Sequence, residues 1–155
     1  AGTLFGGWSA DYMTKKTGNK NWYIWIPFVS TIIAIPFALN TFLLMPDGYV
    51  AVYSYFIPVF FGGWYLGPCI ASTHFLVGIR MRAMASAVLF FVLNLIGLGF
   101  GPMLTGFVSD YLTPEYGVEG LRYAMSITVL FNIWCAIHYY WCLKTIKQDF
   151  DRAPA

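Results

Sequence analysis

Four long apolar runs, separated by short polar links, dominate the pattern along this chain. They cover residues 22–45, 49–77, 83–108 and 121–143. None contains Asp, Glu or Lys, and their single Arg is Arg122, at the edge of the fourth. A bilayer core takes about 20 apolar residues per helix, so each run is long enough to span. Backbone polar groups in lipid must be satisfied within the segment, which makes the runs helices. Ahead of them lies an apolar stub, 1–10, too short to span, which ends in the polar segment 11–21. The sequence predicts that the stub is the end of a fifth helix whose first part lies outside this chain. A re-entrant or surface segment is the alternative.

Charge gives the predicted spans a direction. Lys15, Lys16 and Lys20 precede the first span, Arg80 and Arg82 separate the second from the third, and Lys144, Lys147 and Arg152 follow the fourth. The other two links carry Asp47, Asp110, Glu115 and Glu119 but no Lys or Arg; on that side only Arg122 is basic. The positive-inside rule places the basic links and the tail, 144–155, in the cytoplasm. Aromatic residues sit where headgroups are expected: Trp22, Tyr23, Trp25, Tyr139, Tyr140 and Trp141 inside, and Tyr49, Tyr111 and Tyr123 outside.

Composition agrees. Of 155 residues 59% are hydrophobic and 10% charged, against about 25% charged in a soluble domain. A net charge of +2 with no long basic run offers nothing to nucleic acid. Cys69, Cys135 and Cys142 lie within apolar runs and read as packing residues. No cofactor motif or metal-ligand spacing is present, and no cluster of acid, base and nucleophile points to an enzyme. His74 and His138 read as structural histidines.

The segment from Gly7 to Lys16 is the most informative. Gly7, Asp11, Lys15 and Lys16 resemble the cytoplasmic loop signature of the major facilitator superfamily, G-x-x-x-D-(R/K)-x-G-(R/K)-(R/K), with Tyr12 and Thr14 departing from it. A second resemblance runs from Arg80 to Ala87, through Asn94 to Pro102, to Gly106–Asp110 and Glu119–Ala124. In this order and spacing these residues look like the last two helices of spinster-like transporters within that superfamily. The resemblance implies an all-α membrane protein, the C-terminal half-bundle of the facilitator fold, with the stub as the end of helix 8 and the spans as helices 9–12. It also implies the lipid bilayer, a missing N-terminal half and a small amphipathic or lysolipid-like solute as partners, and a multi-pass location in the cell membrane, or an organelle membrane in a eukaryote. A self-contained four-helix scaffold acting through protein partners is the alternative.

Candidate functional residues fall into three groups. Gly7, Asp11, Lys15 and Lys16 form a predicted cytoplasmic gating motif, in which Asp11 meets a helix N-terminus of the other half or pairs locally with Lys15. Tyr53, Phe56, Phe60 and Trp64 on the second span, with Phe90 and Asn94 on the third, share helical faces that either line a solute pathway or pack. Gly97, Gly99, Gly101 and Pro102 form a predicted hinge, since Pro102 removes a donor and clashes one turn back. Gly63 with Gly67, and Gly97 with Gly101, are also spaced for close helix contact.

The topology is directly testable. With the three native cysteines removed, single cysteines at Lys16, Arg80 and Lys147 are expected to react with impermeant thiol reagents from the cytoplasmic side alone. Those at Asp47 and Glu115 should react from outside; labelling of Lys16 and Glu115 from one side overturns the four-span arrangement.

Overall fold

A computed structural model describes residues 1–45 and 48–153. Their regular structure is entirely helical. Helix α1 is Gly2–Thr17 and α2 is Trp22–Leu44. Helix α3, Gly48–Gly62, passes through a 3-10 turn at Gly63–Tyr65 into α4, Leu66–Phe75. Helix α5, Arg82–Val92, passes through a π-helical segment at Leu93–Phe100 into α6, Gly101–Tyr116. Helix α7 is Gly120–Arg152. Pro46 and Asp47, in the link between the first two apolar runs, lie outside the described residues.

Three continuous helical stretches are long and apolar enough to cross a membrane: Trp22–Leu44, Gly48–Phe75 and Ile79–Arg152. The last contains two of the apolar runs. Within it α6 ends at Tyr116, the chain reverses through a 3-10 turn at Gly117–Glu119, and α7 packs back along α6. Gly117 makes the reversal possible with a φ of 55°, a conformation that costs glycine little. Gly120 keeps it tight, since a Cβ there would sit 3.1 Å from the Thr113 nitrogen. Both helices overrun their apolar runs, α6 to Tyr116 and α7 to Arg152. At 1.5 Å per residue the 33 residues of α7 extend about 50 Å, well beyond a hydrocarbon core of about 30 Å. The predicted tail is therefore largely a continuation of the helix.

Helix α2 is the hub, packed against α1, α3, α4 and α7. Its buried positions include Ser30, Ala38 and Thr41, and those of α7 include Ala124, Ser126 and Ala136. Small side chains let helix backbones approach in lipid, where apolar burial supplies no driving force between helices. Hydroxyl pairs reinforce the approach: Thr41 with Ser54 at 3.1 Å between α2 and α3, and Thr105 with Thr128 at 3.0 Å between α6 and α7. At the other end of α2, Ile24 packs with Ile146 and Phe150, beside Phe75, Tyr139 and Leu143.

Helix α1 docks through Gly2, Gly6 and Ala10, all buried and four residues apart. A Cβ on Gly6 would lie 2.3 Å from the Trp64 carbonyl oxygen, and one on Gly2 would lie 2.2 Å from that of Phe60. Gly63 and Gly67 meet α1 from the other side; a Cβ on Gly67 would lie 3.2 Å from the Gly7 Cα. Gly97 and Gly101 differ from expectation. A Cβ on either meets nothing within 4 Å, so they make no close helix contact among the described residues.

The π segment has a local cause. The Gly101 N–H donates to the Ile96 carbonyl, five residues back. In an α register the Leu98 carbonyl would need the N–H of residue 102, which is proline. A five-residue register assigns it to Met103 instead, which has a donor. The wider turn thus accommodates Pro102 and inserts one extra residue between α5 and α6.

Arg122 explains itself only in three dimensions. Its guanidinium donates to the carbonyls of Phe42 at 3.0 Å, Leu43 at 3.5 Å and Met45 at 3.1 Å, and pairs with Glu119. The last carbonyls of a helix lack intrahelical donors, and a cation there also offsets the helix dipole. The one arginine on its side of the charge pattern is thus the cap of α2, supplied from α7.

Two expectations follow. Arg122→Leu should destabilise the protein by about 1–3 kcal/mol, read as a lower melting temperature in detergent. Arg122→Lys should recover only part, because an ammonium cannot reproduce the planar fork. Separately, deleting Gly99 should close the π turn and keep the face of α6 that meets α7. Deleting Leu104 from regular α6 should turn one flank by about 100° and separate Thr105 from Thr128. Folded yield is expected to survive the first deletion and fall with the second; equal losses would overturn the extra-residue account.

Candidate functional site

Two places hold part of the predicted functional set. The first is the end where α1 turns into α2. Helix α1 stops at Gly18, whose φ of 69° and N–H bond to the Thr14 carbonyl form a left-handed C-cap. Trp22 then donates from Nε1 to Thr17 Oγ1 at 2.8 Å, and the Asn21 N–H to Asn19 Oδ1 at 2.9 Å. These contacts fix the turn. Gly7 faces Gly67, and one turn later Asp11 accepts a 2.6 Å hydrogen bond from the Tyr23 hydroxyl on its Oδ1. Lys15 and Lys16 occupy the exposed last turn of α1, where cations offset the dipole. Neither pairs with Asp11, since the one ion pair among the described residues is Arg122–Glu119. The local partner of Asp11 is therefore Tyr23, in place of the Lys15 considered from spacing.

The second place is a groove of about 430 Å³ between the α3–α4 and α5–α6 stretches. Tyr65 and Leu66 form one wall; Phe90, Leu93, Asn94 and Gly97 form the other. Each wall includes one deformed part of the fold. Tyr65 closes the 3-10 turn, and Leu93, Asn94 and Gly97 belong to the π segment. Irregular backbone at membrane depth persists where it is buried in protein or lines a cavity. The Asn94 amide donates to the Phe90 carbonyl at 2.7 Å, so its Nδ2 is satisfied within its own helix.

The predicted pathway residues divide. Phe90 and Asn94 share the groove. Phe60 and Trp64 pack instead against Phe5 of α1, with ring centroids 5.9 Å and 4.9 Å away. Tyr53 and Phe56 stay on an exposed face of α3. Within the predicted hinge, Gly97 and Gly99 lie in the π segment, and Gly101 and Pro102 begin α6. Sequence spacing did not single out Tyr65, Leu66, Leu93 or Leu98, which also line the groove. The 3-10 turn begins at Gly63, so 3.6-residue spacing carried through it does not pick out Tyr65.

The two histidines make local or interhelical contacts. His74 Nε2 and Ser86 Oγ lie 2.6 Å apart, joining α4 to α5. His138 Nδ1 lies 2.9 Å from the Trp134 carbonyl one turn back. No group of three or more His, Cys, Asp or Glu that could hold a metal ion occurs among the described residues.

No family model matches the chain, and no solved structure matches it. Over 149 residues, 96% of its length, it is 29% identical to an MFS-type efflux pump of Mycolicibacterium smegmatis (strain ATCC 700084 / mc(2)155). The matched region is 34% of that protein, so the chain spans about a third of the length of the relative it resembles.

Proposed function

We propose that this chain is the C-terminal portion of a major facilitator transporter. In this reading α1 is the end of helix 8, α2 is helix 9, α3–α4 and α5–α6 are helices 10 and 11, and α7 is helix 12. The complete protein moves a small amphipathic solute by alternating access, the two halves rocking around a midplane site. The chain sits in the cell membrane with its C-terminus in the cytoplasm. The spinster-like resemblance extends the solute class to lysolipids. The similarity to an efflux pump supports transport in general.

The observation that carries the reading is the groove between the two deformed stretches. Transporter sites typically form where helices are interrupted. Here a 3-10 turn and a π segment face each other across about 430 Å³ of mostly apolar space. Asn94 and Tyr65 supply its polar groups, suited to an amphipathic ligand. Gly97 and Gly99, with no neighbour closer than 3.6 Å to a built Cβ, leave the π segment room to bend. Asp11 stands at the far end from Arg122 and serves as a gate contact toward the other half. Phe60 and Trp64 support the groove indirectly, by seating α1 against the 3-10 turn.

The test uses the full-length parent in cells and in proteoliposomes. Fluorescent amphipathic cations and fluorescent lysophospholipids serve as probes. One class should be transported. Asn94→Leu should raise the apparent KM for it about fivefold, as expected for losing one hydrogen bond of about 1 kcal/mol, with expression unchanged. Transport of neither class, or normal kinetics in both Asn94→Leu and Phe90→Ala, would overturn the assignment.

A further inference from the structure

We propose that Tyr23 is the positioning residue for Asp11, holding its carboxylate at the mouth of the transporter without neutralising it. This rests on the gate role given to Asp11 above and adds the residue that sets its geometry. From sequence, Tyr23 reads only as one of several aromatic anchors at the membrane edge.

Three observations carry the inference. The first is the 2.6 Å bond from the Tyr23 hydroxyl to Asp11 Oδ1, which ties α2 to α1 across 12 residues. The second is how firmly the donor is held. Tyr23 is 7% exposed, and its ring stands edge-on to Phe75 at 5.0 Å, which stands edge-on to Phe150 at 5.9 Å. The ends of α4 and α7 thus fix the phenol. The third is what the acceptor lacks. Asp11 is exposed, and no Lys, Arg or His lies within ion-pair distance of it among the described residues.

The choice of donor follows from the task. A lysine or arginine at this point would fix the carboxylate and also cancel its charge. A phenol donates one hydrogen bond without bringing a cation, and Oδ2 of Asp11 makes no hydrogen bond among the described residues. A charged acceptor held by one neutral donor is well placed to meet a helix N-terminus or a cation of the other half. Without the donor, the carboxylate rotates freely and must be ordered each time the halves close, which weakens the contact.

The experiment measures the inward-to-outward ratio of the full-length parent by distances between spin labels on the two halves. Asp11→Asn, Tyr23→Phe and the double variant are compared, with melting temperature recorded for each. Tyr23→Phe keeps the ring against Phe75 and removes only the hydroxyl. It is expected to shift the ratio toward inward-facing, as Asp11→Asn does, by about threefold to tenfold. The double variant should match Asp11→Asn alone, since the hydroxyl acts only through the carboxylate. Replacing Tyr23 with 3,5-difluorotyrosine, a stronger donor of the same shape, should move the ratio the other way and covers the case in which Tyr23→Phe fails to fold. A shift with Asp11→Asn but none with Tyr23→Phe or difluorotyrosine overturns the positioning role and leaves the gate standing. So does a lower melting temperature with an unchanged ratio, or an additive double variant. No shift with Asp11→Asn overturns the gate itself, and this inference with it.

Discussion

Close backbone approach through small residues is the constraint on which the rest of this structure depends. Lipid tails are as apolar as leucine, so large side chains gain little by leaving lipid for a neighbouring helix. Contact comes instead from surfaces that fit. Gly2, Gly6 and Ala10 bring α1 within a side chain's thickness of Phe60 and Trp64. Ser30, Ala38 and Thr41 on α2, with Ala124, Ser126 and Ala136 on α7, do the same at the hub. The large hydrophobic residues, among them Phe56, Phe91, Phe107 and Trp134, lie mainly outside. In a soluble protein that distribution would be inverted.

With the helices this close, their ends must be finished by neighbours, and the two ends of the bundle are finished differently. At one end Arg122 reaches from α7 to the open carbonyls of α2, joining two helices that already share a packed seam. At the other, aromatic rings from α2, α4 and α7 interlock, and the Tyr23 hydroxyl projects from that cluster to Asp11. The charged end-cap makes a fixed joint. The neutral phenol leaves the exposed Asp11 carboxylate without a cationic partner among the described residues.

Between these ends the helices around the groove are irregular, and the deformation has a chemical origin. Pro102 cannot donate, so the chain ahead of it widens into a π turn, and Gly97 and Gly99 permit the path. Opposite, the glycine pair that lets α1 dock flanks the 3-10 turn, Gly63 opening it and Gly67 following in α4. One deformation follows from a missing donor and the other accompanies close packing. They meet across one groove, with Tyr65 on one side and Leu93, Asn94 and Gly97 on the other.

The sequence by itself determined the all-helical, membrane-spanning class, because long runs without Asp, Glu or Lys have no other way to satisfy their backbone in lipid. It also located the residues that bend the chain, since proline and glycine act locally, and it singled out Asp11 by its spacing from Gly7. Tertiary structure decided which of these residues meet. Spacing put Phe60 and Trp64 in one stripe with Tyr53 and Phe56; packing places α1 over Phe60 and Trp64 and leaves Tyr53 and Phe56 exposed. A projection at 3.6 residues per turn also fails through the 3-10 turn and the π segment, where the groove forms. Spacing also offered Lys15 to Asp11, while packing supplied Tyr23 from the next helix. Arg122 was an unexplained basic residue in the sequence; its carbonyl partners lie about 80 positions away, at a helix end that only the fold brings beside it. Local chemistry is written along the chain, whereas the pairing of distant helix faces depends on how small residues allow the backbones to nest.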